Sequence, residues 1–250
     1  MGLFDIFKKS ASSPPPATPA AKKVAGPAKI VADKRAQTYD RMEAIGTLAQ
    51  LKTPEAAEAL LKRFLFAIDP SITDQEEKEA AFQGVLACGK DAVPFVRAFC
   101  AKAEVLTWPL RILRELLDDE EYTHTLLDLA KSFDIEYARN VEPKLQVIAA
   151  LAEVPGDEVR ETVERFLEDV NENVRFHAVQ STFAQGAQES LPALVRLLAS
   201  EESVRIKNKV CEGVAAKRWF VPTELLETAR TALRDVYEYS LSSDGSIQRR

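Results

Sequence analysis

Between residues 36 and 239 the apolar positions recur at helical rather than strand spacing. In 54–68, Leu60, Leu61, Phe64, Leu65 and Ile68 fall at i, i+1, i+4, i+5 and i+8. In 189–199, Leu191, Leu194, Val195 and Leu198 fall at i, i+3, i+4 and i+7. Each set makes one apolar stripe along a helix. In 173–185, Val174 and Ala178 share one face while Phe176, Val179 and Phe183 lie roughly opposite. A helix with two apolar faces is predicted to pack between neighbours. Most prolines of this stretch, at 54, 70, 94, 109, 143, 155, 192 and 222, stand where an apolar run begins. There a missing N–H costs nothing. Thr53 ahead of Pro54-Glu55 is a candidate N-cap, and Gly89, Gly156 and Gly186 fall between helical runs. No alternating β-branched run and no Asn-Gly hairpin signal occurs, so the pattern predicts an all-α body.

The helical runs also repeat. Aligning Arg175 with Lys78 brings Ala178 onto Ala81 and Gly186 onto Gly89; Pro192 meets Pro94 after one inserted residue. Arg41-x-x-Ala44 before Thr53-Pro54, and Lys144-x-x-Val147 before Pro155, are further copies. Ser203-Val204-Arg205 echoes Asn173-Val174-Arg175 at a spacing of 30, and a weaker copy lies at Pro109-Leu110-Arg111. Units then start near 41, 78, 109–111, 144, 175 and 205, so about six helix pairs fit in 36–239.

On these residues the chain resembles the HEAT-repeat (armadillo-like) α-solenoids. The motif stands in Asn173-Val174-Arg175-x-x-Ala178 through Leu191-Pro192-Ala193-Leu194, in Lys78 through Pro94, and in Ser203-Val204-Arg205. Glu77-Lys78 replaces Val-Arg, Asn208 stands where Ala is usual, and 104–135 carries little motif. The resemblance implies a right-handed solenoid of about six HEAT-like pairs. It also implies a protein-interaction scaffold or adaptor that takes its partner on the concave face, not an enzyme. Enzymes on this scaffold leave marks that can be compared. Deoxyhypusine hydroxylase-like proteins carry His-Glu pairs, but here Thr125 follows His124 and Ala178 follows His177. A glycosylase-like, nucleic-acid-associated protein is the first alternative reading. A lyase- or chaperone-like subunit acting on a cofactor-bearing client is the second; no motif selects it.

Charge modifies this picture. The 250 residues carry net −6, but residues 1–35 hold seven bases against two acids, which leaves −11 on the rest. An acidic body is repelled by phosphate backbones, so a nucleic-acid partner is not expected and another protein is. No apolar stretch reaches the ~20 residues that span a bilayer. Cys88, Cys100 and Cys211 form no CxxC pair and read as buried hydrophobes; with His124 and His177 they make no metal pattern, so neither metal nor cofactor is expected. The odd cysteine count fits a reducing cytoplasm.

The domain reading is a 1–9 amphipathic peptide, a 10–35 Pro/Ala-rich basic linker, the 36–239 solenoid and a 240–250 polar tail. The opening MGLFDIFKKS places its bases after its apolar residues, unlike a secretory signal, and resembles the start of many bacterial proteins. Leu3, Phe4, Ile6 and Phe7 lie within one helical turn beside Lys8 and Lys9. This segment is a candidate docking peptide for a partner or for the inner-membrane surface, where it would hold the cytoplasmic protein weakly and peripherally. The other candidate site is basic: Arg205, Lys207, Lys209, Lys217 and Arg218 crowd 203–218 against Glu212, with Trp219 and Phe220 following. It reads either as an anion- or acidic-peptide-binding patch or as the solvated cap of a last repeat. The run Asp118-Asp119-Glu120-Glu121 reads as a helix start favoured by the helix dipole.

Overall fold

The computed structural model describes residues 19–250, with side chains from Lys23 onward. Among these residues it holds 13 α-helices and one two-stranded hairpin. The chain divides into two compact units, with the boundary between Cys88 and Gly89.

The first unit contains α1 (Pro19–Val31), α2 (Thr38–Leu51), α3 (Pro54–Leu61) and α4 (Ser71–Leu86). Of the expected 10–35 linker, residues 10–18 lie outside the described residues and residues 19–31 form helix α1. Its interior Pro27 forfeits a helical hydrogen bond, but Val24 and Val31 are buried where α1 packs on α2 and α3. Tertiary burial of one apolar edge outweighs a proline that costs about 3 kcal/mol in an isolated helix. Thr53 caps α3 by accepting from the Ala56 N–H at 3.3 Å, and Pro54 starts that helix. Gly84 of α4 faces α2 and α3, where a β-carbon would come within 2.8 Å of Leu60.

The second unit contains α5 (Val93–Cys100), α6 (Thr107–Leu116), α7 (Asp119–Ser132), α8 (Glu142–Leu151), α9 (Asp157–Arg165), α10 (Glu172–Gln185), α11 (Leu191–Ser200), α12 (Val204–Lys217) and α13 (Leu226–Ala232). In chain order α6–α13 make four helix pairs within the second unit, beginning at 107, 142, 172 and 204, close to four of the expected unit starts. Within the second unit α8, α10 and α12 pack in one row, and α7 packs on α9 and α11 on α13 in the other. Both edges of α10 are covered, which explains its two apolar faces: Val174, Ala178, Val179 and Phe183 are all buried.

The structure corrects the register of the last repeat. The expected spacing of 30 would set Arg205 on Arg175. Instead Ile206, Val210, Cys211 and Val214 are buried where Val174, Ala178, Val179 and Thr182 are, a spacing of 32. The left-handed C-caps agree, at Gly186 (φ 72°) and Arg218 (φ 54°). Lys207, not Arg205, is therefore the counterpart of Arg175. A three-residue motif match is weaker than a buried stripe, because burial fixes which way a helix is rotated.

These repeat bases join successive repeats. Lys144 donates to the Asp134 carbonyl (2.7 Å) and to the Asp169 carboxylate (2.6 Å). Arg175 donates to the Asp169 and Val170 carbonyls (2.8 and 3.2 Å) and to both oxygens of Glu201 (2.7 and 2.9 Å). Each base ties the linker before its own helix to a carboxylate just ahead of the next. Burial by itself raises the Glu201 carboxyl. Hydrogen bonds from Arg175 and from the Ser203 and Glu202 N–H groups outweigh it and hold the group below the ordinary carboxylate range. A depressed carboxyl gives stability that is present above its unfolded pKa and lost as pH falls through the folded one. Denaturant titrations are therefore expected to find Glu201→Gln clearly less stable than wild type at pH 7. The gap should narrow below about pH 4; a gap independent of pH would refute this role.

The 240–250 segment, expected to be a polar tail, is also corrected. β1 (Tyr239–Leu241) pairs antiparallel with β2 (Ile247–Arg249), and β2 packs on α12 with Tyr239 and Ile247 buried. The hairpin covers the last helix of the row, a face that a repeat stack must shield. The five residues between the strands, 242–246, are closed by the Ser242 N–H on the Ser246 carbonyl (2.9 Å) and include Gly245 (φ 87°), packed against the Val221 backbone, whose N–H bonds the Gly245 carbonyl at 2.9 Å. Both the positive φ and the close approach exclude a side chain there.

Candidate interaction surface

In the row α8–α10–α12, the positions left uncovered follow the 3.6-residue period. They are Glu142, Gln146 and Ala149 on α8 with Glu153 just after it, Asn173, His177, Gln180 and Ala184 on α10, and Arg205, Lys209, Glu212 and Ala216 on α12. The face is polar, with small residues toward the helix C-termini. Its most structured part joins α10 to α12. The Arg205 guanidinium lies 3.7 Å from the centroid of the Phe176 ring, bonds Asn173 Oδ1 at 3.2 Å and stands 3.8 Å from the Glu172 carboxylate. His177 meets the same ring edge-on at 6.2 Å. Arg205 is thus held on an aromatic platform with half its surface still free. Such a guanidinium presents donors to a partner at little further ordering cost.

The structure divides the five basic residues singled out from the sequence. Arg205 and Lys209 share the uncovered face, where Lys209 pairs with Glu212 at 3.0 Å. Lys207 is half-buried in the repeat-base position and makes no ion pair among the described residues. Lys217 sits at the end of α12 near Gly186, and Arg218 is the left-handed residue that ends the helix. Trp219 is buried 5.5 Å from Phe183, whereas Phe220 is exposed. The sequence had no direct signal for the Phe176 platform, because Phe176 counts equally well as core. Leu3, Phe4, Ile6, Phe7, Lys8 and Lys9 lie outside the described residues.

The other candidate chemistry resolves simply. All three cysteines are free and buried, and burial pushes the thiols of Cys100 and Cys211 up to about 12. Such thiols stay protonated near neutral pH and are poor nucleophiles. Asp118 caps α7 by accepting from the Glu121 N–H at 2.9 Å, and Asp119, Glu120 and Glu121 form its first turn. Among the described residues no three His, Cys, Asp or Glu side chains converge as a metal site, and no helix is long and apolar enough to cross a membrane.

Residues 125–215 match the HEAT-repeat family, a span that includes α8–α11 and most of α7 and α12. No curated protein matches the chain. A solved structure described as "Computational Design of Self-Assembling Cyclic Protein Homooligomers" is similar at 16% identity, over 89% of this chain and 73% of that one, with a TM-score of 0.16.

Proposed function

We propose that this HEAT-repeat protein is a non-enzymatic scaffold that binds another protein across the α8–α10–α12 face. HEAT repeats are generally protein-interaction scaffolds. The observation that carries the reading is the Arg205 guanidinium at the start of α12, stacked on Phe176 of α10 and left half open to solvent on that face. An oriented arginine on an aromatic surface is a common anchor of protein interfaces. The separation of the basic residues onto different faces weighs against a continuous groove for a phosphate backbone.

The test is affinity capture from native lysate with the full chain, wild type against Arg205→Glu/Lys209→Glu. A partner retained stoichiometrically by the wild type and lost by the variant is the expected result. The melting temperature should be unchanged, because both residues lie on the surface. Retention of the same proteins by both baits would reject this face.

A further inference from the structure

The second unit has a cleft unrelated to the α8–α10–α12 face. It opens between the 3-10 turn after α9, the linker at 168–170 and α11, with a volume of about 740 Å³. Its floor is apolar, made by the buried Leu167, Ala193 and Leu197, and Val170 stands 55% exposed at its mouth. Three charges on its rim, Glu168, Glu202 and Arg196, are exposed and form no ion pair among the described residues. The remaining charges are engaged. Glu164 holds Arg160 at 2.7 Å, Arg165 donates to the Ala130 and Phe133 carbonyls, Arg175 holds Glu201, and Asp169 holds Lys144. The cleft therefore offers an apolar floor, two free carboxylates and one free guanidinium.

The chain contains a segment of complementary composition. Leu3, Phe4, Ile6 and Phe7 surround Asp5 and precede Lys8 and Lys9: four apolar side chains, one acid and two bases. The complementarity holds on the larger scale as well. Residues 1–18 hold two bases and one acid, and residues 19–250, with α1, hold 31 bases against 38 acids, or −7. Two such acidic bodies repel one another unless a basic element bridges them.

We propose that this cleft takes the N-terminal segment Leu3–Lys9 of a second copy of the chain. Its apolar side chains lie over Leu167, Val170 and Leu197, Lys8 and Lys9 face Glu168 and Glu202, and Asp5 faces Arg196. The interaction weakens with salt because its charges are peripheral.

A charge-swap measured by sedimentation of the full-length chain tests this. Wild type is expected to self-associate at low salt. Lys8→Glu/Lys9→Glu and Glu168→Lys/Glu202→Lys should each weaken association about tenfold or more. An equimolar mixture of the two variants should associate again, since the reversed segment of one meets the reversed cleft of the other. Restoration only when both pairs of changes sit in one chain is not expected for a two-copy contact and would overturn it. A wild type that stays monomeric, or that instead floats with anionic vesicles while its cleft variant does the same, would also overturn it. Because Arg205 and Lys209 take no part, loss of the captured partner in the scaffold experiment leaves this result unaffected.

Discussion

Replacing Glu77 by alanine is expected to unfold the first unit far more readily than any surface change. The Glu77 side chain is fully buried, and it accepts from Arg41 at Nε and Nη2 (2.9 Å each) and from Arg63 Nε at 2.6 Å. Arg63, itself fully buried, also donates to Asp74 (2.7 Å) and to the Phe66 carbonyl, and Asp74 holds Lys78 at 2.7 Å. Three cations thus share two carboxylates. Without Glu77, Arg63 would keep the Asp74 carboxylate and the Phe66 carbonyl, whereas Arg41 would stay buried with neutral partners only, the Lys34 and Ala36 carbonyls and the Thr38 hydroxyl. Breaking a buried pair by deleting one partner typically costs about 3–5 kcal/mol, because the stranded charge keeps its full desolvation penalty. For a unit of this size that corresponds to a fall in melting temperature of more than about 10 °C. A loss under about 3 °C in calorimetry would refute the account. The paired control is Arg41→Met/Arg63→Leu/Glu77→Leu, which removes the charges together. It is expected to lie much closer to wild type than Glu77→Ala, because no charge is left stranded.

Gly213→Ala is expected to destabilise the second unit even though alanine is the better helix former. Gly213 lies inside α12, and a β-carbon there would overlap the ring of Phe183 on α10. That ring is nearly buried and packs against Trp219, so it has little room to retreat. Overpacking of this kind costs roughly 1–3 kcal/mol, against a helix-propensity gain of at most about 1 kcal/mol. Gly46→Ala supplies the contrast. Gly46 is also inside a helix, but a β-carbon there meets nothing within 4 Å. Propensity then acts alone, and Gly46→Ala is expected to stabilise by about 0.5–1 kcal/mol. Denaturant titration of the two variants should give changes of opposite sign. A Gly213→Ala protein as stable as wild type would mean that the α10–α12 contact is looser than described.

The two glycines show how far local reading extends. Both stand in helical runs, and nothing in their immediate sequence separates the one that accepts a methyl group from the one that does not. The difference is the neighbour: Phe183, 30 residues away, occupies the notch at Gly213. The candidate surface behaves in the same way. Arg205 and Lys207 are two residues apart and were grouped as one basic patch. Two residues turn a helix by about 200°, so one reaches the open face and the other the repeat-base position.

The sequence by itself determined the helical class, the helix pairs of the second unit, the first-turn prolines and the burial of the cysteines. Each of these follows from local chemistry: apolar period, a missing N–H, a capping hydroxyl, an apolar setting. It also carried a signal for the hairpin, Asp244-Gly245, that a search for Asn-Gly passes over. Only the tertiary structure decided the 32-residue register of α12, the helicity of α1 despite Pro27, the buried Arg41–Glu77–Arg63 cluster and the Phe176 platform beneath Arg205. In each of these cases the deciding partner is distant in sequence or the deciding quantity is burial. Neither is written in the residues nearby, because a side chain's surroundings exist only once neighbouring helices have packed.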